Sequence, residues 1–209
     1  MTIATHRVQL RLASHEGGSV AHVTIDHAAK INILDSALIT EFIDKVTPLG
    51  AHDDLRAVVL TGAGDKSFIG GADIREMAAL TPATAETFIT RLHAMCACLR
   101  DLPVPVIARI NGYAIGAGLE VAAACDLRVA SSSAVFGMPE VKVGIPSVIE
   151  AALLPSLIGW GRTRELLYLG ENIGWSSASS HPPNWMTPST TGCGPCSRPG
   201  QRPCGCKRR

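Results

Sequence analysis

The sequence has almost no net charge, formally +1 from 19 Lys and Arg against 18 Asp and Glu. It also has no basic or acidic block before its last few residues. A protein that tracks a phosphate backbone or an anionic membrane concentrates cations on one face, so neither nucleic acid nor membrane is expected as a partner. No apolar run approaches the ~20 residues that cross a bilayer, and the N-terminus MTIATHRVQLRLASHEGG lacks an apolar core of signal-peptide length. These absences lead to the expectation of a soluble, cytoplasmic protein. His22, His27 and His93 do not pair at ligand spacing, and no chemistry is assigned to them. The seven cysteines include Cys96, Cys98 and Cys125 in apolar, helical contexts, where they read as small buried hydrophobes rather than as a disulfide framework.

What is present fits one domain with a substantial core: 209 residues, 46% of them hydrophobic. VQLRLASHEGGSVAHVTID alternates apolar and polar residues on both sides of Gly17-Gly18 and predicts a hairpin of two half-buried strands. DSALITEFIDKVTPL predicts a helix capped by Asp35 or Ser36. LRAVVLTGAG predicts a buried strand, and DKSFIGGADIREMAAL a loop through Gly70-Gly71 that turns helical near Asp73. ATAETFITRLHAMCACLRDL predicts a longer helix ended by Pro103 and Pro105, followed by the strand VPVIARI. DLRVASSSAVFG predicts two short strands, and EAALLPSLIGWGRTRELLYLG helical pieces broken by Pro155 and Gly159 to Gly161. Alternating strands and helices define an α/β architecture with layered or spiral packing.

Two stretches point to chemistry. In NGYAIGAGLEVAAACD a helix starting near Gly116 leaves its first N–H groups unpaired at the positive end of the dipole. Glu120 falls about one turn beyond Ala117, and the apolar LEVAAAC marks the helix as buried. SFIGGADI is a second Gly/Ala-rich corner that hands over to a helix. Two backbone donors held by two such corners suit a thioester oxygen that becomes negative during reaction, because they cannot titrate and are fixed by the fold. Either corner alone is also what a tight turn or close helix packing produces. Glu120 and Glu140 both sit among apolar residues, where desolvation without a partner suits proton transfer. The alternative is an ion pair with Arg109, Arg128 or Lys142.

Three segments, AVVLTGAGDKSFIGGADIREM, PVPVIARINGYAIGAGLEVAAACDLRVAS and AVFGMPEVKVGIP, resemble in order and spacing the crotonase, or enoyl-CoA hydratase/isomerase, superfamily. The resemblance covers roughly Val8 to Asn172. It implies a crotonase-like spiral of repeated β-β-α units and an oxyanion hole from the N–H groups of Ala72 and Ala117. It implies Glu120 and Glu140 as the catalytic acids of a hydratase that adds water across the 2,3 double bond of an enoyl-CoA. By the same resemblance Lys30, Ile31, Asn32, Ile33, Gly71, Asp73, Ile74, Arg75, Gly116 and Pro139 contact the substrate, with Lys30 or Arg75 meeting coenzyme A phosphates. Coenzyme A is then part of the substrate and no separate cofactor or metal is implied. A homotrimer or dimer of trimers is the implied assembly. Other reactions of the superfamily on acyl-CoA, namely isomerisation, dehydration or decarboxylation, and a silent acyl-CoA binder are the alternatives.

Two departures from the family pattern stand out. Where hydratases typically carry Gly-Gly after Ile-Pro, this chain reads GIPSVIEAALLP, which is expected to bring Ile149 and a third acid, Glu150, towards the acyl pocket. From Ile173 onward the helical pattern stops in a segment rich in Ser, Pro, Gly and Cys, in place of the family's C-terminal helices. The expected division is a core domain over residues 1–172 and a disordered tail over 173–209. Its abruptness suggests a slipped coding frame near codon 173, which a helix-patterned continuation in another frame of the gene would reveal. Cys193, Cys196, Cys204 and Cys206 have the count for a tetrahedral zinc site, but no apolar residue or histidine supports a metal-centred core.

Overall fold

A computed structural model describes residues 7–174 and 187–188. Strands β1 (Val8–His15) and β2 (Gly18–Ile25) form the expected antiparallel hairpin. In β2 the alternation is realised, with Ser19, Ala21, Val23 and Ile25 all buried. In β1 only Val8 is buried, and Leu10 and Leu12 are exposed. Among the described residues this strand is the outer edge of its sheet, flanked on one side only. Helix α1 (Ser36–Val46) begins where the Asp35 carboxylate accepts the Leu38 N–H at 2.9 Å, a cap of ordinary type. Its inward stripe is Leu38, Ile39, Phe42 and Val46, spaced at helical intervals.

After β3 (Leu55–Gly62) come β4 (Ser67–Ile69), α2 (Ile74–Ala78) and α3 (Pro82–Arg100). Helix α3 starts with a reciprocal capping box between Thr81 and Thr84. Next are β5 (Val106–Ile110), β6 (Tyr113–Ile115), α4 (Ala117–Ala124), β7 (Leu127–Ala130) and β8 (Val135–Gly137). Two 3-10 turns, Pro139–Val143 and Ala151–Leu153, precede α5 (Leu154–Leu169), and short strands β9 (Ile173–Gly174) and β10 (Thr187–Pro188) follow.

The strands divide between a six-stranded sheet ordered β1-β2-β3-β5-β7-β10 and a four-stranded sheet ordered β4-β6-β8-β9. From β3 onward, strands β3, β5 and β7 of the first sheet are each followed by a short strand of the second and then, twice, by a helix: β3-β4-α2, β5-β6-α4, then β7-β8. This is the β-β-α spiral. The second sheet was not anticipated at β4 and β6, which read as a loop and a turn. Three residues are too few to display a period of two. Helices α1, α3 and α4 pack in succession, and Phe42, Phe68, Phe88 and Phe136 are fully buried in the common core. Burying each of these rings stabilises the fold by about 2–3 kcal/mol relative to leaving it exposed.

Pro155 does not break α5. It occupies the first turn, where its missing N–H costs nothing, and the interruption falls at Gly159 alone (φ 76°, ψ 158°). Cys96 and Cys125 are buried and Cys98 is half-buried. Burial pushes the Cys98 and Cys125 thiols up to about 12, consistent with inert packing groups. The expected tail lies outside the described residues except for β9, which pairs with β8, and β10, which pairs with β7. The four-cysteine segment lies wholly outside them. Among the described residues no cluster of His, Cys, Asp or Glu could hold a metal, and no helix is long and apolar enough to cross a membrane.

Candidate active site

The three segments singled out in the sequence leave adjacent strands of the small sheet. Strands β4, β6 and β8 run parallel, with Ile69 beside Ala114 and Ile115 beside Gly137. Beyond their C-terminal ends lie Gly70 to Asp73, Gly116-Ala117, and Pro139-Glu140. All three meet at one cavity of about 340 Å³ whose wall includes Ala72, Ala117, Glu120, Pro139 and Glu140. The topology therefore brings together Gly70 and Glu140, 70 positions apart, by stacking three short parallel strands.

Gly71 and Gly116 adopt positive φ, 109° and 53°, conformations that side-chain-bearing residues rarely hold. A Cβ on Gly116 would lie 3.1 Å from Glu140 Oε2, and one on Gly71 would lie 3.2 Å from the Ile115 carbonyl oxygen. The two corners thus touch each other and the second acid. Gly116 offers no side-chain cap to α4. The N–H groups of Ala72 and Ala117 donate to no acceptor among the described residues. An unpaired N–H at a cavity wall is a donor waiting for a ligand oxygen.

Glu120 lies on α4, a helix buried over all eight residues, as its composition required. It is 3% exposed. Its Oε1 accepts three backbone N–H groups, from Ile149 (3.1 Å), Glu150 (2.9 Å) and Ala151 (3.0 Å). Burial raises its pKa above the usual carboxylate range; the three N–H groups oppose that, and the neighbouring Glu140 adds to it. Glu140 is half-buried at the start of a 3-10 turn. Its Oε1 accepts the Ser147 hydroxyl at 2.5 Å, whereas its Oε2 is buried without a partner among the described residues. The ion-pair alternative does not hold: among the described residues no cation pairs with either acid. Arg128 instead donates to the carbonyls of Ala122 and Cys125 at the end of α4.

Several expected contacts fall elsewhere. The Glu150 carboxylate does not enter the cavity. It is 7% exposed and pairs with Arg100 and, at 3.2 Å, with His93 Nδ1, both on α3. His93, given no chemistry from the sequence, therefore has a partner. Asn32 is fully buried. Its Oδ1 accepts the His27 N–H, and its Nδ2 donates to the Ala63 and Ser67 carbonyls, so it ties its loop to the end of β3 and the start of β4. Asp73 caps α2 through the Arg75 and Glu76 N–H groups. Lys30, Ile31 and Arg75 are exposed and Ile33 is half-buried, and none of them lines the cavity. Gly71, Ile74, Gly116 and Pro139 do line it.

Residues that the sequence reading missed complete the wall. Phe88, Ile89 and Leu92 come from α3 and Met77 from α2, and Ser147 stands beside Glu140. The helix residues looked like ordinary core positions because their spacing is that of any inward stripe. Ser147 was visible directly after Ile-Pro, but nothing local ties it to an acid seven residues earlier.

Fold and cavity together define an α/β spiral that sets two acids and two unpaired backbone donors around one apolar pocket. The sequence profile of the enoyl-CoA hydratase/isomerase family matches residues 15–181, and the chain belongs to that family. It is 40% identical over 157 residues to the short-chain-enoyl-CoA hydratase of Clostridium acetobutylicum, covering 75% of this chain and 60% of that protein. It is 36% identical over 167 residues to the (E)-benzylidenesuccinyl-CoA hydratase of Thauera aromatica, covering 79% and 63%. The chain thus spans about three-fifths of the length of these relatives. The crystal structure of an enoyl-CoA hydratase from Thermoplasma volcanium superposes with a TM-score of 0.79 at 28% identity, over 90% of this chain and 73% of that one. One from Bacillus anthracis gives 0.78 at 33% identity, over 83% and 67%.

Proposed function

We propose that the chain carries the site of an enoyl-CoA hydratase acting on a neutral, apolar enoyl thioester. The observation that supports this reading is the meeting of Glu120, Glu140, Ala72 and Ala117 on one cavity wall. In the reaction, water oxygen bonds to C3 of the enoyl group, a proton is delivered to C2, and the thioester oxygen bears negative charge in between. The Ala72 and Ala117 N–H groups hold that oxygen. Two fixed donors in an apolar pocket are worth several kcal/mol, about 3 for each donor removed in comparable sites. Glu120, one oxygen gripped by three N–H groups, presents its other oxygen to the water and accepts its proton. Glu140 protonates C2.

The neutral substrate class follows from the wall. Its side chains are apolar except for Glu120, Glu140 and Ser147, and no Lys, Arg or His lines it among the described residues. A second carboxylate on the acyl group would face two acids with nothing to offset it. Turnover of crotonyl-CoA, followed as loss of the enoyl thioester absorbance, tests the reading. Glu140→Gln at equal folded concentration should be slower by at least about a hundredfold. A variant as fast as the parent removes Glu140 from the mechanism. A parent that binds the thioester without consuming it makes the chain a silent binder.

A further inference from the structure

The Gly-Gly pair expected after Ile-Pro is absent, and the segment that replaces it does two things at once. Its three consecutive N–H groups, from Ile149, Glu150 and Ala151, converge on a single oxygen of Glu120. The 3-10 turn that follows has no side-chain cap of its own. The Glu150 side chain leaves the same residue in another direction. It is buried and reaches α3, where Arg100 and His93 meet its Oε1. A carboxylate at 7% exposure needs such partners to offset its desolvation. Helix α3 also supplies Phe88, Ile89 and Leu92 to the cavity, so it is the natural reference frame for the reacting groups.

We propose that Glu150 is a positioning residue: its ion pair with Arg100 fastens residues 149–151 to α3 and so aims the N–H cradle that holds the Glu120 carboxylate. This rests on the reading of Glu120 as a catalytic residue. The Glu150 side chain does not line the cavity. It replaces the conformational freedom of a glycine pair with a charged tether, and the acid is held at the geometry the tether sets. Displacing a catalytic group by about 1 Å costs on the order of a hundredfold in rate, so loosening the tether should be felt in turnover more than in binding.

The test uses the full chain and Glu150→Gln, with two readouts. The first is steady-state turnover of crotonyl-CoA. We expect kcat to fall between about tenfold and a hundredfold, with KM changed less than about threefold because the acyl wall is untouched. Placed in a Glu120→Gln background, the same substitution should change the residual kcat less than about twofold, since the residue it acts through is gone. The second readout needs no substrate: amide hydrogen exchange at residues 149–151 should accelerate at least about tenfold while amides of β3 and β5 stay protected. Unchanged exchange, an unchanged kcat, or a kcat loss that persists undiminished in the Glu120→Gln background each overturns the proposal. If the parent does not turn over crotonyl-CoA, the hydratase reading falls and the exchange result alone decides the tether. Should Glu150→Gln not fold, Arg100→Lys, which keeps the charge and loses the fork, should reproduce the pattern at smaller amplitude, and the absence of any effect on exchange overturns the proposal in the same way.

Discussion

Gly116→Ala separates the two demands made on one residue. The first is conformational: at φ 53° and ψ −121° an alanine is strained, at a cost of about 1–3 kcal/mol. The second is contact: the new Cβ would sit 3.1 Å from Glu140 Oε2, closer than ordinary van der Waals separation. The carboxylate must retreat by a few tenths of an ångström, away from the Ala117 corner and against its hydrogen bond from Ser147. Gly17→Ala is the control. Gly17 has φ 101° with nothing within 4 Å of a Cβ, so it bears strain without contact and lies in the β1–β2 turn. In a domain of this size each kcal/mol lowers the melting temperature by about 2–4 °C. Both variants should therefore melt a few degrees below the parent by circular dichroism. Turnover should differ: at equal folded fraction Gly17→Ala retains the parent rate with crotonyl-CoA, and Gly116→Ala loses about a hundredfold, as for a misplaced oxyanion donor or acid. If Gly116→Ala is as active as Gly17→Ala, the contact between the corner and Glu140 does not matter to the chemistry and the site is misassigned.

Two further predictions follow from buried polar groups. Glu120 has its pKa raised by burial, so the folded state binds its proton more tightly than the unfolded state. The stability it contributes is complete below the ordinary carboxylate range, about pH 4, and is lost as pH rises through the raised value. Glu120→Gln cannot ionise, and its amide oxygen still accepts the three N–H groups. It should be more stable than the parent at neutral pH, with the gap closing below about pH 4; urea denaturation at several pH values measures this, and a gap that widens in acid refutes it. Asn32→Ala orphans the His27 N–H and the Ala63 carbonyl, and leaves the Ser67 carbonyl with the Asn111 side chain as its remaining side-chain donor. It should cost about 3 kcal/mol in the same denaturation assay, and a loss under about 1 kcal/mol would deny Asn32 its role as a tie.

The corners and their acids were legible in the sequence because each is a local matter. A glycine that must take positive φ, an alanine that leaves an N–H bare and an acid one turn later all fall within the few residues of NGYAIGAGLE. The strands that gather the corners were not legible, since β4 and β6 are three residues long and owe their existence to pairing with each other. The same limit explains Asn32: a polar residue in a loop looks like a ligand contact until three backbone groups converge on it from 5 to 35 positions away.

Glu150 makes the sharpest case. Read along the chain, an acid where the family has glycine points into the pocket, because nothing nearby offers another destination. Its side-chain partners, Arg100 and His93, lie 50 and 57 residues earlier, on α3, and the oxygen its own N–H serves lies 30 residues earlier, on α4. A residue type announces what chemistry a side chain is capable of; which of its groups faces the reaction is set by the elements packed around it. For Glu150 that division runs through a single residue, with the backbone N–H turned to Glu120 on α4 and the carboxylate turned to α3.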